Sequence, residues 1–351
     1  MQGCQVEEAF LCKVLRDVVN QHILQKEQVE DDLGKHLEAL WDLSADAACA
    51  EACCALRGAE ILAQAAEAHD FAGRLPEVAL GILANVSSHS LSEETLGSYD
   101  DLASTALKAL AAADAAVCAQ ALRICCGLLC SQRSLTLLWS PEAFERYIFA
   151  LGNSLRWDLV RYACDALCQG ILIEVQSPQH KEPPPARAKL PATLRQRCSE
   201  LCEALQDGEG LQGESDPEIA LWSALRLCES LTVAEGHLFL GTALTALSAA
   251  EKPEVLSAAL EVLSVLMEVD DQKTWQKEVP AFLSDDLVEK LVLLLVDIED
   301  GQDVVAAALA VLELAPRVWL EPHREALAQA MAAVSEESCA LSPDFRAFLS
   351  T

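Results

Sequence analysis

ALGILANV, Ala79 to Val86, returns along the chain as ALRICCGL (Ala121–Leu128), ACDALCQG (Ala163–Gly170), ALRLCESL (Ala224–Leu231), ALEVLSVL (Ala259–Leu266) and ALAVLELA (Ala308–Ala315). The leading alanines follow one another at steps of 42, 42, 61, 35 and 49. A step of roughly 40 residues is the period of stacked helical repeats of two or three short helices each. No such unit can bury its apolar stripe alone, so stability comes from stacking on the next unit, and the ends need caps. Hydrophobic residues make up 52% of the chain but aromatic ones only 5%. The interior is therefore built from Ala, Leu, Val and Cys, the small and aliphatic types that let helices approach closely.

The predicted fold class is all-α, an armadillo/HEAT-like alpha-alpha superhelix, or solenoid. Residues 1–174 are expected to hold an N-terminal cap helix and armadillo-like repeats. The cap is expected within Met1–Gln28, where Phe10, Val14, Leu15 and Val18 recur at helical spacing. The long third step contains VQSPQHKEPPPARAKLP, Val175 to Pro191, too rich in proline for regular helix. Residues 175–191 are thus read as an insert or linker, and 192–351 as a second set of repeats. A second break is expected at Asp207–Asp216, DGEGLQGESD. Ser140-Pro141, Asp216-Pro217 and Lys252-Pro253 each put proline at a first helical position with a glutamate after it.

Acidic residues outnumber basic ones 55 to 25, for a formal charge of -30. A phosphate backbone is repelled by such a chain, so nucleic acid is excluded as a general partner and a basic protein surface is favoured. Uncharged runs such as His237–Ala250 fall short of the roughly 18 residues a membrane span needs. The first residues, MQGCQVEEAF, have no basic region ahead of an apolar stretch, so no secretory signal is expected. Fifteen cysteines in such a chain imply free thiols in a reducing compartment, nucleus or cytoplasm.

On a helical wheel Ala79, Leu80, Leu83 and Val86 share the apolar side, which leaves Gly81 and Asn85 as the expected open groove face. The equivalent positions are Arg123 and Gly127, Asp165 and Gln169, Arg226 and Ser230, Glu261 and Val265, and Ala310 and Leu314. From these, Asn85, Arg123, Asp165, Gln169, Arg226 and Glu261 are the candidate partner-binding residues. LPEVALGILANVS, Leu75 to Ser87, resembles the third helix of an armadillo repeat, with Asn85 at that family's asparagine position. Members that bind extended peptides use a ladder of that asparagine with a tryptophan one turn earlier. No repeat here has the tryptophan, and only Asn85 matches the asparagine.

A narrower set of residues, LWDLSAD (Leu40–Asp46), Ile61-Leu62, LGILAN (Leu80–Asn85), Cys130-Ser-Gln132 and Leu138-Trp139, is similar to the serum-amyloid-A-like family of armadillo-type proteins. That resemblance covers the first half of the chain. It implies a non-enzymatic nuclear or cytoplasmic protein linked with cell proliferation.

Gly208-Glu-Gly-Leu-Gln-Gly213 spells G-x-G-x-x-G but follows a helix and lies among carboxylates, the wrong setting for a dinucleotide fingerprint. Cysteines recur four apart at Cys49/Cys53, Cys126/Cys130, Cys164/Cys168 and Cys198/Cys202. Converging thiolates of Cys126, Cys130, Cys164 and Cys168 would suit tetrahedral zinc; plain packing between close helices is the competing reading. Histidines are scattered and no nucleophile motif is present, so no enzyme and no cofactor are expected. The acid runs Glu30-Asp31-Asp32, Asp270-Asp271 and Asp297–Asp303 read as solvated helix ends without EF-hand spacing, and the six tryptophans as packing between repeats. Lys181, Arg187, Lys189, Arg195 and Arg197 form a basic island in and after the insert, either a docking segment, a tether, or a strap folded back on the array. The function expected is a protein-interaction scaffold. The alternatives are a transport or chaperone adaptor for basic cargo and a cysteine-based zinc or redox sensor.

Overall fold

The computed structural model describes residues 8–23, 32–89, 99–176, 185–206, 216–235, 239–250, 252–269, 291–292, 307–312, 320–333 and 342–350. The described residues are helical, with turns between helices and no strand among them. The chain divides into two compact units, Met1–Ala188 and Lys189–Thr351. The expected turn at Asp207–Asp216, apart from Asp216 itself, lies outside the described residues, as do Lys181, Trp275, Trp319, Leu314 and the acid runs after Val269.

In the first unit, helices run α1 (Glu8–Val18), α2 (Asp32–Leu43), α3 (Ala47–Ala55), α4 (Gly58–Ala68), α5 (Arg74–Ser88), α6 (Tyr99–Ala109), α7 (Ala115–Cys130), the single turn α8 (Leu135–Leu138), α9 (Pro141–Asn153) and α10 (Trp157–Gln176). One row is α2 on α5, α5 on α7 and α7 on α10; a backing row of α4, α6 and α9 lies against α5, α7 and α10 in turn. The first row is called inner below. α1 buries Leu11, Val14, Leu15 and Val18 and packs on α2 and α4, where the expected cap helix lies. Starts are set by side chains that accept from otherwise orphaned N–H groups. Asp46 accepts from Ala48 and Cys49, Asp114 from Ala116 and Val117, and Ser140 from Ala143 with Pro141 next to it. Asp114 also accepts from Gly73 N–H at 3.1 Å, which ties the entrance of α5 to that of α7. In the backing row Lys108 reaches Glu67 at 2.9 Å and Arg146 donates to the Leu107 carbonyl.

The second unit holds α11 (Leu190–Gln206), α12 (Pro217–Glu235), α13 (Leu240–Ala249), α14 (Pro253–Val269), α15 (Arg324–Ala333) and α16 (Pro343–Ser350). α12 packs on α11 and α14, α13 on α11 and α14, and α15 on α16. Lys252 bridges Asp216 and Glu218 across the starts of α12 and α14. Burial alone would raise the Asp216 carboxyl, but the Lys252 ammonium and the Glu218 N–H outweigh it and hold its pKa below the usual value.

All six leading alanines, Ala79, Ala121, Ala163, Ala224, Ala259 and Ala308, are fully buried. The repeat read from sequence is therefore a packing register, with the same small side chain buried in each repeat. The proline-rich stretch is a partial correction. α10 continues to Gln176, a 3-10 turn starts at Pro185, and α11 begins at Leu190 with Pro191 in its first turn, where a missing N–H is harmless.

Each inner helix from α5 onward carries one glycine that meets a side chain or backbone from another element. A Cβ on Gly81 would lie 2.5 Å from Trp41 Cζ2, one on Gly127 2.7 Å from Ser87 Oγ, and one on Gly170 would run into the Trp139 ring. A Cβ on Gly34 in α2 meets nothing within 4 Å. Gly170→Val is therefore expected to lower the urea-unfolding free energy of the full chain by about 1–3 kcal/mol. Gly34→Ala should raise it by up to about 1 kcal/mol. Equal effects of the two would remove the close-approach argument.

Candidate functional site on the inner helix row

The expected open face at Gly81 and Asn85 is not open. Gly81 is buried beneath the Trp41 ring, so it is a seat for α2 rather than a groove floor. The wheel places it correctly on the side away from Ala79, but that side receives the preceding inner helix. Asn85, one turn on, is bonded to neighbouring helices through both ends of its amide. Its Nδ2 donates to the Trp41 carbonyl and to Ser44 Oγ, each at 3.0 Å, and its Oδ1 accepts from Arg123 Nη2 at 2.7 Å. Ser44 Oγ in turn donates to the Trp41 carbonyl at 2.7 Å. Asn85 thus joins α2, α5 and α7, and both of its amide N–H groups are already taken up there. Arg123 is held a second time, by Gln120 Oε1 at 2.6 Å.

Asp165 and Gln169 follow on α10, both half-buried. Asp165 lies 3.7 Å from Arg161 and close enough to Cys126 to act on its thiol. Asn85, Arg123, Asp165 and Gln169 therefore occupy one row of neighbouring helices, two of them directly bonded. In the second unit Arg226 lies over the ring of Trp222 at 5.0 Å, and Glu261, exposed on α14, accepts from Ser257 at 3.3 Å. Glu229, which the repeat alignment passes over, is half-buried between them. Burial raises its carboxyl pKa, Glu261 adds to the rise, and Arg226 opposes it. The alignment misses Glu229 because it falls at neither groove offset.

The cysteines sit mainly in the helix contacts. Burial pushes Cys53, Cys54, Cys125 and Cys202 up to about 12, so they remain thiols at neutral pH. Cys126 is raised further, first by its hydrogen bond with Cys130, then by burial and by Cys130 and Asp165. Among the described residues no group of three or more His, Cys, Asp or Glu is placed to hold a metal ion. Convergence of Cys126, Cys130, Cys164 and Cys168 on tetrahedral zinc is thereby overturned: Cys164 and Cys168 are buried inside the packing of α10, while Cys130 is exposed at the end of α7. The G-x-G-x-x-G stretch lies outside the described residues.

The basic island is largely consumed by the protein itself. Arg187 is buried and paired with Glu174 at the end of α10, and Glu174 also accepts from the Trp139 indole N–H. Arg197 is buried and paired with Glu200, and Arg195 lies over Phe239 at 5.1 Å. At Arg187 the segment is a strap rather than a free tether. Trp41 and Trp139 are packing residues, each laid on a glycine of an inner helix.

No protein-family profile matches the chain, and no curated protein matches it significantly. Among solved structures, an engineered protein from the Northeast Structural Genomics Consortium aligns over 94% of this chain and 96% of its own length. Identity is 14% and the TM-score 0.32, a likeness that carries no argument. No described helix is long and apolar enough to cross a membrane.

Removing the Asn85 amide takes one partner from the Arg123 guanidinium, which keeps Gln120, and one from the Trp41 carbonyl, which keeps Ser44. Asn85→Ala is expected to destabilise the chain by about 1–3 kcal/mol in urea unfolding. A cycle with Arg123→Ala should give a coupling of about 0.5–3 kcal/mol, whereas additive effects would mean that the bond contributes nothing.

Proposed function

We propose that this chain is a non-catalytic scaffold that binds a partner protein on the inner helix row of its first unit. The observation that carries the reading is the row itself: α5, α7 and α10 lie side by side and carry polar side chains at repeat-equivalent positions, Asn85, Arg123, Asp165 and Gln169. Asn85 acts there as a brace, so recognition falls to Asp165, Gln169 and the outer edge of Arg123. In the second unit the equivalent residues are Arg226 and Glu261. Stacked repeats of this kind offer long surfaces built from equivalent helix positions, which suits an extended protein ligand. Raised thiol pKa values and the absence of a motif for an activated nucleophile favour binding over catalysis. The sequence resemblance to serum-amyloid-A-like proteins supports a role linked with cell proliferation in nucleus or cytoplasm.

A transport or chaperone adaptor for basic cargo is the second reading, and the formal charge of -30 favours it. It differs in salt dependence. Rim-type charge attraction falls steeply between about 0.05 and 0.5 M salt, where the screening length shrinks to a few ångströms.

Affinity purification from the protein's own cells tests the placement. Asp165→Lys with Gln169→Lys is expected to lose partners that Glu142→Lys, on the backing row, retains, with helix content unchanged in both. Partners unaffected by the first pair but lost with changes at exposed Phe149 or Leu155 would move the function to the outer surface.

A further inference from the structure

In the second unit α12 is buried almost all round. From Pro217 to Val233 only Ile219, Trp222, Arg226, Glu229 and Val233 keep contact with solvent; every other residue is buried, on a helix that packs against α11 and α14. At 100° per residue the five fall within about 80° of arc, in one stripe about 21 Å long. The face that such a helix turns to water is ordinarily charged or polar. Here Ile219 is 36% and Val233 52% exposed, and Trp222 lies between them, half-buried. The steps along the stripe, three, four, three and four residues, are those of a coiled-coil seam. The Arg226 guanidinium is seated in it over the Trp222 ring, 5.0 Å from the centroid.

The order of side chains along the stripe is self-complementary. Two copies laid antiparallel about a two-fold axis set Trp222 against Val233 and Arg226 against Glu229, each pairing made twice. Parallel copies would instead set Arg226 on Arg226 and Glu229 on Glu229. We propose that the chain associates with a second copy of itself through α12, antiparallel, with these four layers as the seam. The central charged layers fix direction and register, and the outer layers supply apolar contact. Ile219 lies beyond the last layer at each end. A stripe of this length buries less than the roughly 1,200 Å² of a stable complex, so the dimer exchanges with monomer. The formal charge of -30 on each copy opposes approach, but physiological salt screens that repulsion beyond about 8 Å, whereas the central layers act in contact. This association does not rest on partner binding by the first unit.

The test is sedimentation equilibrium of the full-length chain over a concentration series, kept reduced so that no disulfide links the copies. Wild type is expected to populate monomer and dimer and no larger species. R226E and E229R should each weaken the dimer at least about tenfold, because each sets like charges in both central layers. The first raises the net negative charge and the second lowers it, so an effect of net charge alone would have opposite signs in the two. Mixed one to one, the variants should dimerise again, since every central layer then joins a glutamate to an arginine. V233D, at an exposed position, should weaken the dimer with helix content unchanged. A wild type monomeric at every concentration overturns the proposal and leaves the stripe to a different protein. A dimer that neither charge variant weakens, or no recovery in the mixture, also overturns it. So does a dimer lost in F149D but kept in V233D, which would place the contact on the first unit.

Discussion

A tryptophan ring resting on a glycine sets the spacing on which the first unit depends. Trp41 lies on Gly81 and Trp139 on Gly170, so backbone and indole approach where any side chain would intervene. At Gly127 the same room admits the end of α5 at Ser87. Close approach at these points goes with complete burial of the repeat alanines and of Leu80, Leu83, Leu122 and Leu167. Polar bonding follows from it. With Trp41 seated on Gly81, its carbonyl and Ser44 come within reach of Asn85, and Asn85 within reach of Arg123 on α7. Packing thereby decides which polar groups remain for a partner.

Charge is arranged around that frame rather than creating it. Many of the few cations are already committed: Arg74 to Glu38 and Glu77, Lys108 to Glu67, Arg187 to Glu174, Lys252 to Asp216 and Glu218. The exposed pairs among them contribute little to stability individually, about 0–1 kcal/mol. Their larger consequence is electrostatic. Basic residues are absorbed one by one, which leaves the surplus of acids to set the sign of the field that a partner meets.

The helical class and the register of the repeat were legible in the sequence because both depend on local periodicity: Ala79, Ala121 and Ala163 recur at one constant step and are buried alike. The fate of Gly81 and Asn85 was not. A helical wheel reports which side of one helix a residue occupies, but not which neighbour covers that side, and Trp41 arrives from α2, a full repeat earlier in the chain. The pairing of a lone tryptophan with a glycine about one repeat downstream is the signal that would have found it. Arg187 was similarly hidden: a docking segment, a tether and a strap were all open to it by composition, and only the fold shows Glu174, which also accepts from the Trp139 indole N–H, receiving it. Among the candidate site residues, Asn85 and Arg123 are brought into direct contact, and Glu229 emerges only from the packing of α12 against α14.

Hydrogen exchange of the full chain, wild type against Trp41→Ala, tests the central claim that the first unit is held by contacts passed from each inner helix to the next. The ring touches α5 alone among the later inner helices at its glycine, and nearest-neighbour stability should decay with distance along the row. Faster exchange is predicted in α2 and α5, fading through α7, with α10 unchanged. Uniform acceleration from α2 through α10, or none in α5, would contradict the account.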